Sequence, residues 1–276
     1  MFRKEFLYRY DGRDIPYSVW VSDESTTINT IIFLGTVQIE NLPKWVTEAC
    51  PPRTAVVQGA PHWFAKEDGS DIPEYMFGYT EDAFRSIAET FRFENLSIIA
   101  ESQAAPGVIQ LFANKKYTPY NVKNIVLLQP LGFNVNSFCG TDTDRMDAFK
   151  KRIIKNSYHQ LADLFLDSRL RYNHKLLNKT VQFNDSSTQA QYNSGLKWDS
   201  LPDARKLILM NQNVTIVCGE KDKIFMPSEI KGNLEKANIP IRVVMMKGIP
   251  HSPIATRKGL VLLEKAFALI GTKLPK

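Results

Sequence analysis

A serine, a histidine and an aspartate brought together can carry out nucleophilic acyl transfer. An unassisted hydroxyl is inert at neutral pH, so it needs a base to take its proton and a third group to orient that base. Ser102 is the residue around which such a set can be built. It lies in Leu96-Ser-Ile-Ile-Ala-Glu-Ser-Gln-Ala-Ala105, where a β-branched run passes into a helical composition with almost no linker. Ala100 and Ala104 stand two residues before and after it. A strand-to-helix turn this sharp presses two backbones together, and a large side chain at either flank would clash. The central residue is strained, and its side chain is thrust out above the sheet edge. Ser102 is the only serine in the chain with glycine or alanine at both flanking positions. The same local sequence would also suit a serine that simply caps a helix after a strand.

The downstream strands supply the partners. The run Val214-Thr-Ile-Val-Cys-Gly219 is followed at once by Glu220-Lys-Asp222, and the run ending near Met246 is followed by Lys247-Gly-Ile-Pro-His251. In open α/β sheets, chemistry collects at the carboxyl ends of the strands. Asp222 is placed there, with Glu220 as the alternative carboxylate. His251 is placed there too, and it is the only one of four histidines at such a strand end after Asp222.

The elements that must position these residues follow from periodicity. Residues 2–10 and 15–21 are rich in aromatic and β-branched types around Asp11-Gly12, which reads as a hairpin. Short apolar runs at 28–34, 54–58, 96–100, 122–128, 214–218 and 241–246 read as buried strands. Helices are expected over 42–49, from Thr80 onward, over 104–114 and over 254–270, with a long loop from 60 to about 78. Strand and helix in alternation imply right-handed crossovers and a mostly parallel sheet with helices on both faces. The rhythm breaks at 133–206, where Ile154, Tyr158, Leu161 and Phe165 recur at helical spacing but no buried strand is visible. Within it, 184–195 reads as a polar loop, and Ser200-Leu-Pro-Asp203 as a helix start capped by Ser200. The organisation expected is a core of 1–132 and 207–276 interrupted by a helical insert of 133–206.

The motif Ala-Glu-Ser-Gln-Ala at 100–104, Gly219-Glu-Lys-Asp222 and Pro250-His251, in that order along almost the whole chain, resembles the α/β-hydrolase fold family. The resemblance implies that Ser102 is the nucleophile, His251 the general base and then acid, and Asp222 the carboxylate that orients the imidazole. It implies an oxyanion hole made by the backbone N–H of Gln103 and a second N–H from the stretch Leu34-Gly35-Thr36-Val37, that of Val37, with Thr36 as the near alternative. It implies that the insert is a cap over the acyl pocket, with Phe133, Phe138, Phe149, Tyr158, Phe165 and Trp198 as candidate wall. Three departures stand out. Alanines replace the glycines usual around the serine. His-Gly is absent from the first loop. The loop after Gln58 reads Gly-Ala-Pro-His-Trp-Phe, whose His62 and Trp63 either line the pocket mouth or cover the sheet. Glu101 is expected to point away from Ser102 and pair with a polar group.

The resemblance implies hydrolysis of a carboxylic ester. Thioester, amide, lactone and carbon–carbon cleavage would use the same residues, and a serine nucleophile argues against dehalogenase or epoxide hydrolase chemistry. A member of the fold that binds a ligand without turnover, or one that binds a partner through the cap, are the other classes. The 276 residues carry 43% hydrophobic and 23% charged residues, which excludes disordered, collagen-like and coiled-coil chains. Three scattered cysteines form neither a disulfide framework nor a zinc cluster and fit a reducing compartment. No apolar signal or membrane span is visible, so a soluble, cytoplasmic protein is expected. The net charge of +6 lies in Arg145 to Lys179, with nine basic and three acidic residues. That segment reads as a solvated face or as one meeting an anionic substrate or a membrane surface. The expected partner is a small-molecule acyl substrate, with no nucleic acid, no stable membrane anchor and no metal or other cofactor, and with a homodimer left open.

Overall fold

Successive buried strands explain the architecture. In β5 (Arg92–Glu101), Ile98 and Ala100 face one side and Ile99 the other; in β6 (Asn124–Leu128), Ile125 and Leu127 oppose Val126 and Leu128; in β7 (Val214–Gly219), Ile216 and Cys218 oppose Val217. Both faces are apolar, as a parallel sheet covered on both sides requires. The computed structural model describes residues 1–35, 42, 44–60, 70–134, 137–166, 186–252, 254 and 256–272.

The remaining strands are β1 (Phe2–Tyr10), β2 (Arg13–Val21), β3 (Thr27–Phe33), β4 (Thr54–Val57) and β8 (Arg242–Met246). They form one eight-stranded sheet in the order β1-β2-β4-β3-β5-β6-β7-β8. β1 and β2 make the expected antiparallel hairpin, β2 meets β4 antiparallel, and every other pairing is parallel. The carboxyl ends of β3 to β8 therefore open on one edge.

Helices cover both faces. α1 (Lys44–Ala49) and the last helix, Arg257–Leu269, share a cluster with Trp20, Ile32, Val56, Ile99, Val126 and Val217. The opposite cluster takes in α2 (Ile72–Thr90), α3 (Ala104–Phe112) and the alternate strand residues. The same cluster includes Phe133, Phe138, Phe149 and Leu196 from the expected insert, so the insert and the sheet share one core.

After β6 the chain forms α4 (Asp142–Leu166), α5 (Ser186–Leu196) and α6 (Leu201–Leu209); α7 (Pro227–Lys236) and α8 (Arg257–Leu269) flank β8. Three local expectations are corrected. α2 begins at Ile72, not Thr80: Ile72, Tyr75, Met76 and Tyr79 bury one helical stripe, and Pro73 sits in the first turn where no donor is lost. The stretch expected as a polar loop is α5. It has no apolar stripe to announce it, but its buried Asn193 accepts a hydrogen bond from Arg145 Nε at 2.7 Å. Packing, not propensity, makes this helix. Ser200 does stand at the N-cap of α6, yet its backbone is helical and its buried hydroxyl has no partner, so it caps nothing. The sequence reading includes no helix at α7, which buries only Pro227, Ile230, Asn233 and Leu234.

Among the described residues no helix is long and apolar enough to cross a membrane. Arg145 and Arg152 leave the expected solvated face: Arg145 meets Asp142, Asn193 and the Phe138 carbonyl, and Arg152 meets Glu229. Lys151 and Lys155 are exposed, and the basic residues from 169 to 179 lie outside the described residues.

Candidate active site

Four neighbouring strands each deliver one residue to the same edge. Glu101 ends β5, and Ser102 follows at φ +49° before α3 begins at Ala104. This is the left-handed region, which residues other than glycine, asparagine and aspartate seldom occupy unless their surroundings hold them there. Here they do. Ser102 N–H donates to the Leu128 carbonyl at 2.9 Å, and its own carbonyl accepts from Leu131 and Ala105 at 3.1 and 3.2 Å. Ala100 and Ala104 are both buried, as the steric argument for the turn requires. Gly35 explains the next constraint: a Cβ there would stand 3.3 Å from Ser102 Cβ.

Asp222 and His251 meet. His251 Nδ1 and Asp222 Oδ2 are 2.8 Å apart, with Asp222 fully enclosed. The other carboxylate oxygen, Oδ1, accepts the backbone N–H groups of Ile224 and Phe225 at 2.8 and 2.9 Å. Such a carboxylate is rotationally fixed. The alternative, Glu220, turns instead to the exposed Gly248 N–H. Phe225 closes one side of the imidazole, edge to face at 5.2 Å. Burial would lower the pKa of His251, but the charge and hydrogen bond of Asp222, with a further contribution from Glu101, hold it above the ordinary histidine value.

Glu101 points away from Ser102, as expected. Its carboxylate is buried and accepts Gly35 N–H at 3.0 Å and Ile254 N–H at 2.6 Å. Burial pushes its pKa up, opposed by those two N–H groups and by His251. Glu101 thereby ties the loop after β3 and the loop after His251 to the turn that carries Ser102. It also commits the Gly35 N–H, which is then not free to meet a substrate oxygen.

Sequence reasoning missed Gln129, which directly follows β6. Its Nε2 donates to Asp222 Oδ2 at 3.2 Å and to the Pro250 carbonyl at 2.9 Å, and its Oε1 accepts Ser252 N–H at 2.9 Å. The signal was present: the strand-end rule that selected Asp222 selects Gln129 equally.

Among the described residues no hydrogen bond joins the Ser102 hydroxyl to the imidazole; catalytic hydrogen bonds are often long before substrate binds. Gln103 follows Ser102 at the N-terminus of α3, with its side-chain Oε1 buried and unpartnered. Val37, Thr36, His62 and Trp63 lie outside the described residues, as do the side chains of Tyr158 and Phe165. Phe133, Phe138 and Phe149 are core, and Trp198, partly buried, packs against the same cluster.

Solved structures share this architecture end to end. A bromoperoxidase from Bacillus anthracis superposes with a TM-score of 0.63 at 14% identity, covering 97% of this chain and 99% of its own. The chain has the α/β-hydrolase fold. An esterase from a Rhodococcus species gives 0.58 at 16% identity over 98% and 99% of the two chains. A thioesterase domain of the curacin biosynthetic pathway gives 0.57 at 13% identity over 99% and 100%. No protein-family model matches the sequence, and no curated protein matches it. In this chain Ser102, Asp222 and His251 follow the carboxyl ends of β5, β7 and β8.

Proposed function

We propose that the chain is a serine hydrolase that cleaves a carboxylic ester, or a related acyl bond, of a small molecule. The observation that carries this reading is the enclosed Asp222–His251 pair at 2.8 Å, set on the same sheet edge as a serine held at positive φ. Ser102 Oγ attacks the acyl carbon while His251 Nε2 takes its proton, Nδ1 being committed to Asp222. Asp222 keeps the useful tautomer and stabilises the imidazolium. The oxyanion is met by the Gln103 N–H and by a second N–H from Val37 or Thr36. His251 returns the proton to the leaving alcohol. It then deprotonates a water that attacks the acyl-enzyme, and Ser102 regains its proton as the acid departs. The esterase and thioesterase domain among the structures of like fold support acyl transfer as the reaction class.

A fluorophosphonate probe and a series of p-nitrophenyl esters of differing chain length test the reading. Ser102 is expected to be labelled, and Ser102→Ala and His251→Ala are each expected to lower kcat by about 10⁴-fold or more. A folded protein that is neither labelled nor active on any of the esters refutes the proposal and leaves a ligand-binding member of the fold.

A further inference from the structure

Helix α4 reaches the histidine directly. Asn156, almost fully buried, places both ends of its carboxamide on the backbone of one residue. His251 N–H donates to Asn156 Oδ1 at 2.9 Å, and Asn156 Nδ2 donates to the His251 carbonyl at 3.0 Å. One helical turn earlier, the Arg152 guanidinium makes a two-pronged bond to Glu229, 2.8 Å on each arm, and reaches the Ile224 carbonyl at 3.2 Å. Ile224 belongs to the turn closed by Asp222, and Glu229 lies in the first turn of α7. One face of α4 therefore holds both loops of the Asp–His pair.

The geometry of the peptide unit gives this arrangement its force. The Pro250 carbonyl and the His251 N–H are opposite edges of one rigid plane; the His251 carbonyl and the Ser252 N–H are opposite edges of the next. Gln129 holds the first plane by its carbonyl and the second by its N–H. Asn156 holds the first by its N–H and the second by its carbonyl. Each plane is gripped on both edges, so the torsions of residue 251, and with them the direction of its Cα–Cβ bond, are fixed. One grip comes from the sheet and the other from the helix after β6.

We infer that Asn156 is a positioning residue for the general base, delivering His251 to Ser102 only while α4 is seated on the core. The inference rests on the serine-hydrolase reading above. Asn156 holds the histidine's backbone, so its loss acts on the chemical step.

Asn156→Ala is expected to lower kcat on p-nitrophenyl butyrate and the rate of fluorophosphonate labelling together, by about 10²-fold, with KM within about twofold. The exchange of the His251 amide hydrogen is expected to speed up in the same variant. Lys155→Ala, on the exposed side of the same helix, keeps wild-type values. Measurements are made well below the melting temperature. Asn156→Asp, which still accepts from His251 N–H but turns an oxygen toward its carbonyl, serves as the second variant and is expected to lose activity too. A variant that melts earlier yet keeps wild-type kcat and labelling while folded shows a structural role only and overturns the inference. So does a His251 amide that stays as protected as in wild type. Folded wild-type protein that is itself unlabelled and inactive overturns the hydrolase reading, and the inference with it.

Discussion

Gln129→Glu isolates what the buried carboxamide does for the Asp–His pair. The exchange keeps shape and volume but replaces a two-hydrogen donor by an oxygen, 3.2 Å from Asp222 Oδ2 and 2.9 Å from the Pro250 carbonyl. As a carboxylate, the new group would repel Asp222 by about 5 kcal/mol at an effective dielectric of about 20. It therefore stays protonated in the folded protein at neutral pH and serves one acceptor with its single O–H. The acceptor left bare costs about 1–3 kcal/mol at every pH. In the unfolded chain the same carboxyl ionises near its ordinary value of about 4.3. A group whose folded pKa is raised lends stability that is complete below the unfolded value and lost as pH rises above it. The loss grows by about 1.4 kcal/mol per pH unit until the folded carboxyl titrates. The variant should thus trail wild type by about 2–4 kcal/mol at pH 5 and by about 5–7 at pH 7. The larger figure reaches the lower end of the total stability of a typical domain, about 5 kcal/mol. Urea unfolding of both proteins at pH 5 and pH 7 reads the gap directly. A gap that is the same at the two pH values would refute the placement of Gln129 against Asp222.

Two further outcomes concern the same sheet edge. The proposed reaction needs a neutral His251; because Asp222 and Glu101 hold its pKa up against burial, the acid limb of kcat/KM should fall above the ordinary histidine value of about 6.5, and Asp222→Asn should move that limb down and lower kcat by about 10⁴-fold. Gly219→Ala should destabilise by about 1–3 kcal/mol and lower kcat, since its Cβ would stand 2.2 Å from the Ile249 carbonyl and push the histidine loop off β7; a kcat equal to wild type would contradict this.

The strands and the three strand-end residues could be read from sequence because a parallel sheet writes itself as short apolar runs, and because its chemistry gathers at one edge. The serine turn was legible for the same reason that it is strained: only small neighbours fit. What stayed hidden was held by contacts distant in sequence. α5 carries no apolar stripe and is met by contacts from far along the chain, Arg145 on Asn193, 48 positions away, and Phe149 on Tyr192. Asn156 looks like one more polar residue on a basic helix until the loop of His251, 95 positions on, is laid against it. Its one local trace is a polar side chain where Phe149 and Ile153 lead the eye to expect an apolar one. The start of α2, by contrast, was written plainly in Ile72, Tyr75, Met76 and Tyr79, and the glycines, prolines and charges before it obscured it.

The histidine is mounted on amides. Neither carboxamide gains or loses a proton anywhere in the range where the chain stays folded, so the mount does not change its charge as the imidazole does. In the proposed reaction the ring accepts and surrenders a proton twice in each cycle, and the bracket that carries it is indifferent to that traffic. Acid would silence the base by occupying it without unfastening either carboxamide from the backbone of residue 251.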